Sequence, residues 1–276
     1  MGIRQGARTA AVVLLGAATL VVGTGPADAA TTCFGLRPTI PGYSGADRLI
    51  GTEGNDVIVG RGGDDYIDGR GGNDRICGSD DNDTIIGGDG DDMVLGGAGR
   101  DTVTGGNGAD YIDGAGGADV LDGGLGNDDV RGGSENDVFL EGTAPNGADL
   151  ITGDAHWDVL DYSGRPTAVT VTPDGVAGDG EAGEGDNVRS DFEEIRGGAG
   201  DDLLVGLGLP NVFYGNAGSD TLQGGYGQDR LYGGTGDDQL FGQENQDALD
   251  GGAEVDLCDV YPQGGTIVNC EAGGRG

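Results

Sequence analysis

The sequence predicts an all-β chain wound into a right-handed β-solenoid of very short parallel strands, and three observations carry that reading. From Gly42 to Leu140 the chain repeats every nine residues, eleven times without interruption. In all eleven units position 1 is Gly and position 6 is Asp, while position 8 is Leu, Ile, Val or Phe. Glycine supplies 64 of 276 residues, about three times its usual share, which excludes helix as the main element.

Each unit has two physical parts. Six residues rich in Gly, Asn and Asp form a turn, because Gly supplies positive φ and Asn or Asp tolerates it. Three residues follow with the apolar side chain in the middle, enough for one short strand whose centre points inward. Two units make the smallest closed turn, with a strand on each side of a thin core. Successive turns then pair in parallel at about 4.8 Å, so the eleven units give a rod about 26 Å long. Units two apart become neighbours, which stacks Asp56 near Asp74 and Asp74 near Asp92.

Taken in order, residues 1–29 read as a cleavable export signal. Arg4 and Arg8 precede an apolar run from Ala10 to Val22, and Ala27-Asp28-Ala29 supplies small residues for cleavage before Ala30. The run is short for a membrane span, so the mature chain is expected to be secreted. Residues 30–41 form an N-terminal cap, in which Thr39-Ile40-Pro41 keeps the apolar phase but lacks the Gly/Asp turn. Residues 42–140 are the first array. Through 141–196 the period decays: Asp149 with Ile151 and Asp158 with Leu160 preserve its phase, and Tyr162 to Asn187 lose it. There Ala168–Thr172 alternates as a strand, Pro173-Asp174-Gly175 reads as a turn, and the acidic run Gly178–Asp186 reads as a solvated loop rather than a local cation site. At Gly197 the period restarts for seven units, to Asp259, with Asn211 the one departure from Asp at position 6. Residues 260–276 form the C-terminal cap. One rod with an insertion and two separate rods are both compatible with this pattern.

Four cysteines, Cys33, Cys77, Cys258 and Cys270, fit an oxidising compartment. They have no CxxC spacing and no histidine cluster, which disfavours zinc. Three pairings are open to them, and proximity favours Cys33–Cys77 with Cys258–Cys270.

Against 49 acidic residues stand 14 basic ones, all Arg, leaving a net charge of −35. Nucleic acid and anionic membranes, which need a basic surface, are disfavoured as partners. One buried apolar side chain per nine residues falls well short of the entropy of ordering nine backbones, and stacked carboxylates repel. A hard divalent cation between turns reverses that balance. Calcium suits best, with six to eight oxygen ligands in loose geometry.

The units match GGxGxDxUx, and in this the chain resembles the RTX (hemolysin-type) calcium-binding nonapeptide repeat family, whose fold is the parallel β-roll. The opening CFGLRPTI and the late cysteine pair resemble its secreted, Arg-rich, actinobacterial-type members. The resemblance implies multiple Ca²⁺ ions, each held between loops one turn apart. One loop gives carbonyls at positions 2 and 4 with its Asp, and the next gives carbonyls at positions 1 and 3 with its own. One implied site is Gly88, Gly90 and Asp92 with Gly105, Asn107 and Asp110. A second is Gly97, Gly99 and Asp101 with Gly114, Gly116 and Asp119. The other ligands implied are Asp47, Asp56, Asp65, Asp74, Asp83, Asp128 and Asp137 in the first array, and Asp202, Asp220, Asp229, Asp238, Asp247 and Asp256 in the second. Position 4 departs from Gly at Asp81, Glu135, Asn245 and Glu254, where empty or distorted sites are expected. Neighbours two units apart allow up to about nine sites in the first array and about five in the second. Affinity of the extracellular sort, on the order of 10⁻⁴–10⁻³ M, would couple folding to binding.

Catalysis finds little support. With a single histidine, His156, an HExxH pair cannot form, and Ser44 and Ser163 lack GxSxG spacing. The expected function is a non-enzymatic calcium-binding exoprotein. The alternatives are an accessory module that takes an extracellular glycan or protein partner on residues 162–190 and, with less support, a protein associated with a hydrolase.

Overall fold

One apolar side chain in nine can line a core only if the turns are thin and each places two such residues face to face. The computed structural model describes residues 32–271, so the expected signal at 1–29 and the end of the expected C-terminal cap lie outside it. Among the described residues there is no helix, and hence none long and apolar enough to cross a membrane. The chain winds as a β-solenoid of about 13 turns.

Alternate units go to opposite faces. Val57–Gly62, Arg75–Asp80 and Met93–Ala98 belong to an eight-stranded sheet, while Tyr66–Asp68, Thr84–Asp89 and Thr102–Asn107 belong to a twelve-stranded one. Pairing is parallel and joins residues 18 apart, as in Ile58↔Ile76 and Ile85↔Val103. A turn is therefore two nonapeptides. The position-8 side chains meet along the axis in one buried column per face, from Leu49 and Ile58 through Leu121 and Val130 to Leu240 and Leu249.

Many strands are longer than the three residues expected. Val57–Gly62 takes in positions 7 to 9 of one unit and 1 to 3 of the next. Pairing pauses at position 1, where Val59↔Cys77 is followed by Arg61↔Ser79. Position 1 has room only for glycine: at Gly60 the backbone runs so close to the Gly78 carbonyl and the Asp65 carboxylate that a β-carbon would clash with Asp65.

The two arrays share one sheet. The twelve-stranded sheet runs from Arg48–Ile50 through Val159–Asp161, Glu194–Arg196 and Val212–Ala217 to Gly265–Val268. Only the opposite face is interrupted. Its eight-stranded sheet ends at Asn187–Val188, and a six-stranded sheet continues from Val169–Val171 through Leu203–Val205 to Leu257–Asp259. The Asp179 carboxylate spans the interruption, accepting the Thr172 amide on one side (2.7 Å) and the Val188 amide on the other (2.9 Å).

The acidic run Gly178–Asp186 is not the solvated loop its composition suggests. Gly180–Glu181 pairs antiparallel with Val169–Val171, and Asp179 and Asp186 are buried. Donors elsewhere in the fold satisfy these acids, which no local pattern reveals. Both proximity-favoured disulfides are formed, Cys33–Cys77 and Cys258–Cys270, with Cα atoms 5.8 and 6.0 Å apart. The first packs Cys33 against Val59 on the outer side of the eight-stranded sheet.

Candidate metal centre

Position 6 ends each turn just before its strand, so its backbone and side chain face the adjacent turns. Every position-6 Asp of both arrays is buried. One carboxylate oxygen accepts the amide of the position-6 residue one turn earlier. The Asp83 amide donates to Asp101 Oδ1 and the Asp101 amide to Asp119 Oδ1, each at 2.8 Å. These bonds run in two columns, one through Asp47, Asp65, Asp83 and Asp101, the other through Asp56, Asp74, Asp92 and Asp110.

The second oxygen is left bare. Among the described residues, Oδ2 is buried and receives no hydrogen bond in the nine array aspartates from Asp65 to Asp137, the five from Asp220 to Asp256, and Asp158. Position-1 glycine forms the floor beside it. A β-carbon on Gly96 would lie 2.6 Å from Asp101 Oδ2 and 2.9 Å from the Gly114 carbonyl oxygen one turn on. Two acceptors thus converge where no protein donor enters. Such an arrangement is costly unless a proton or a cation lies between them.

Burial acts on the carboxyls accordingly. Desolvation raises Asp83 to about 8, outweighing the Asp65 amide that lowers it, and Asp65 and Asp101 add smaller repulsions. Burial likewise carries Asp65, Asp110, Asp119 and Asp220 to about 7, and Asp92 and Asp229 to about 6. Each of these carboxyls therefore favours a proton or a positive partner over a free negative charge.

Of the two implied ligand sets, the structure brings Asp92 together with the Gly105 carbonyl over Gly87, and Asp101 together with the Gly114 carbonyl over Gly96. Asp110 and Asp119 reach the same loops through their Oδ1 bonds to the Asp92 and Asp101 amides. The carbonyls of Asn107 and Gly116 accept inter-turn bonds from the Gly90 (2.7 Å) and Gly99 (2.8 Å) amides. The carbonyls of Gly88 and Gly90 lie against Gly106 and Gly108, and that of Gly99 against Gly117. Gly97 has a φ of 126°. Among the described residues no three His, Cys, Asp or Glu side chains are placed to hold a metal ion by themselves. All the oxygens are hard donors, and none competes with nitrogen or sulfur.

In four units where position 4 departs from Gly the backbone keeps a positive φ, but a smaller one: Asp81, Glu135, Asn245 and Glu254 have φ of 73°, 80°, 79° and 78°, against 125° and 138° at Gly90 and Gly99. The ends differ in their donors. Asp56 Oδ2 accepts the Thr52 amide and hydroxyl, and Asp202 Oδ2 accepts the Gly198 amide. Asn211 keeps the ladder through its amide bond to Asp229 but brings no charge.

The columns also recruit residues outside the arrays. Asp149 and Asp158 accept the amides of Asp128 and Asp137, each 21 residues away instead of 18. Their surviving phase with Ile151 and Leu160 was the signal available. Asp186 then accepts the Asp149 amide and Glu193 the Asp158 amide, across 37 and 35 residues, which no period announces. His156 belongs to a loop of the repeat, where its Nδ1 accepts the Glu135 amide at 3.1 Å.

The family model for the RTX calcium-binding nonapeptide repeat (4 copies) matches residues 41–76, 71–103, 104–139, 190–208, 205–240, 214–249 and 223–257, together more than half of the chain. No curated protein matches it.

Proposed function

Because the chain belongs to the RTX calcium-binding nonapeptide repeat family, we propose that it is a secreted, non-catalytic protein that folds as multiple Ca²⁺ ions enter its turns. The observation that carries this reading is the column of buried, bare Asp Oδ2 atoms facing position-1 carbonyls. Calcium, when bound, supplies the positive charge those oxygens lack. Asp92 Oδ2 with the Gly105 carbonyl, and Asp101 Oδ2 with the Gly114 carbonyl, are the groups that would hold it. The inter-turn Oδ1 bonds fix each carboxylate so that only its second oxygen is offered. Aspartates with a bare Oδ2 number nine in the first array and five in the second, and their loops are the expected ion sites. Asp47, Asp56 and Asp202 stand at or near the start of an array, and backbone donors satisfy their Oδ2.

The role in the cell envelope or beyond is structural: a rod that is flexible without calcium and rigid with it. Two disulfides and the family assignment are compatible with export. The test is a calcium titration followed by circular dichroism. Strand signal should be low in EGTA and rise cooperatively through the millimolar range. A strand signal indifferent to both would sink the proposal.

A further inference from the structure

Residues 141–196 differ from both arrays in how their acids are satisfied. At their centre lies Arg165, fully buried and the largest of the fully buried side chains. Its Nε donates to the Glu141 carbonyl at 2.5 Å, and its Nη2 donates to Asn146 Oδ1 at 2.7 Å and to Glu184 Oε1 at 2.8 Å. Nη1 lies 3.3 Å from Glu184 Oε2 and 3.6 Å from Glu181 Oε2, and the guanidinium sits 5.7 Å from the Tyr162 ring centre.

The second oxygens that are bare in the arrays find protein donors here. Tyr162 donates its hydroxyl to Asp186 Oδ2 at 2.9 Å, and Asn146 Nδ2 donates to Asp149 Oδ2 at 3.0 Å and to Glu141 Oε2 at 3.2 Å. Asp179 takes two backbone amides. Asp158 Oδ2 and Glu181 Oε2 are the carboxylate oxygens of the segment that stay bare and buried. The core is also richer than in the arrays. Tyr162, Phe192, Val169, Val171 and Val188 join it, and Phe192 packs edge-on against Phe139 at 5.2 Å.

We infer that residues 141–196 are a calcium-independent core, closed by the Arg165 guanidinium, on which the two calcium-dependent arrays are laid down. The inference rests on the calcium reading above. A guanidinium carries five donors and a permanent charge, so it hydrogen-bonds the groups around it and offsets part of their negative charge whatever the solution contains. The aromatic burial adds a driving force that single Ile or Val residues per unit do not match. This block also presents a formed strand edge to each array: Leu150–Ala155 and Val159–Asp161 toward the first, Glu194–Arg196 toward the second. A turn added to an existing edge escapes the cost of starting a new one.

Hydrogen exchange on the full chain, in EGTA and in millimolar calcium, tests this. In EGTA, amides within 150–196 should stay slow while those of 84–125 and 221–253 exchange as in an unfolded chain, and calcium should slow all of them. In Arg165→Met the 150–196 amides should lose protection in EGTA. Wild-type 150–196 exchanging as fast as the arrays in EGTA overturns the inference, as does undiminished protection in Arg165→Met. The wild-type comparison alone decides the matter if that variant does not fold. Arrays protected in EGTA would instead sink the calcium reading, and with it the contrast on which this inference stands.

Discussion

Replacing Asp101 by Asn should stabilise the metal-free roll and shrink the stability that calcium adds to it. The side chain is fully buried, its Oδ1 accepts the Asp83 amide at 2.8 Å, and its Oδ2 is bare. An Asn there keeps its carbonyl on the Asp83 amide, which turns its NH₂ toward the Gly114 carbonyl. A repulsive pair of acceptors becomes a hydrogen bond, and the metal-free roll gains about 1–3 kcal/mol per site. In calcium the same change removes an anionic ligand. With a dissociation constant of 10⁻⁴–10⁻³ M and 10 mM calcium, losing one ion costs about 1.4–2.7 kcal/mol. That loss offsets the metal-free gain, so the rise in urea midpoint between 1 and 10 mM calcium should be smaller for Asp101→Asn than for wild type. The variant carrying Asn at Asp83, Asp101, Asp119 and Asp137 should show more strand signal than wild type in EGTA. A column variant that loses strand signal in EGTA would refute the argument, since the carboxylates would then act only as structural acceptors.

Protons should substitute for calcium in part. Asp83, Asp92 and Asp110 have folded pKa values raised from 3.8 to about 8, about 6 and about 7, so the fold binds more protons than the unfolded chain. That contribution is full below pH 3.8 and is lost as pH rises through 6–8; circular dichroism in EGTA should show more strand at pH 5 than at pH 8, and the calcium midpoint should rise on acidification. Gly105→Ala would drive a β-carbon into the Gly123 carbonyl and Asp110 Oδ2, whereas nothing lies within 4 Å of one on Gly45. The first should cost about 1–3 kcal/mol in a denaturant titration and the second less than about 0.5 kcal/mol. Cys33–Cys77 closes 44 residues and Cys258–Cys270 closes 12, so in the chain-entropy picture removing the first costs about 4 kcal/mol and the second about 3 kcal/mol. Urea midpoints of the Cys→Ser pairs in calcium should fall in that order.

The arrays were legible because their physics is local and periodic. Gly at position 1, Asp at position 6 and an apolar residue at position 8 each answer to the same contact 18 residues away, so reading one unit reads them all. The continuity of the twelve-stranded sheet was not legible. It depends on Val159–Asp161 meeting Glu194–Arg196 across an aperiodic stretch. Nor did the acidic run reveal its burial, because its partners are Arg165, Tyr162, Asn146 and backbone amides that no period places. Strand length was underestimated since positions 2 and 3 look like turn and still pair. A carboxylate's role in the columns is thus written in the period, and a carboxylate's role in the junction only in three dimensions.

The register of 18 restricts how such a chain can grow. A gain or loss of two units inserts or removes a whole turn and leaves every later residue on its own face, beside its former kind of neighbour. A single unit gained or lost would send every later strand to the opposite face, exchanging the two outward rows of side chains from that point on. Length in this molecule therefore comes in quanta of one turn. An insertion of any other size has to bulge from a loop and leave the strands in register, as three extra residues do before Leu150, which pairs with Asp129 across 21 residues, or fall where the opposite face breaks, between Asn187–Val188 and Val169–Val171. At those two places the ruler is reset.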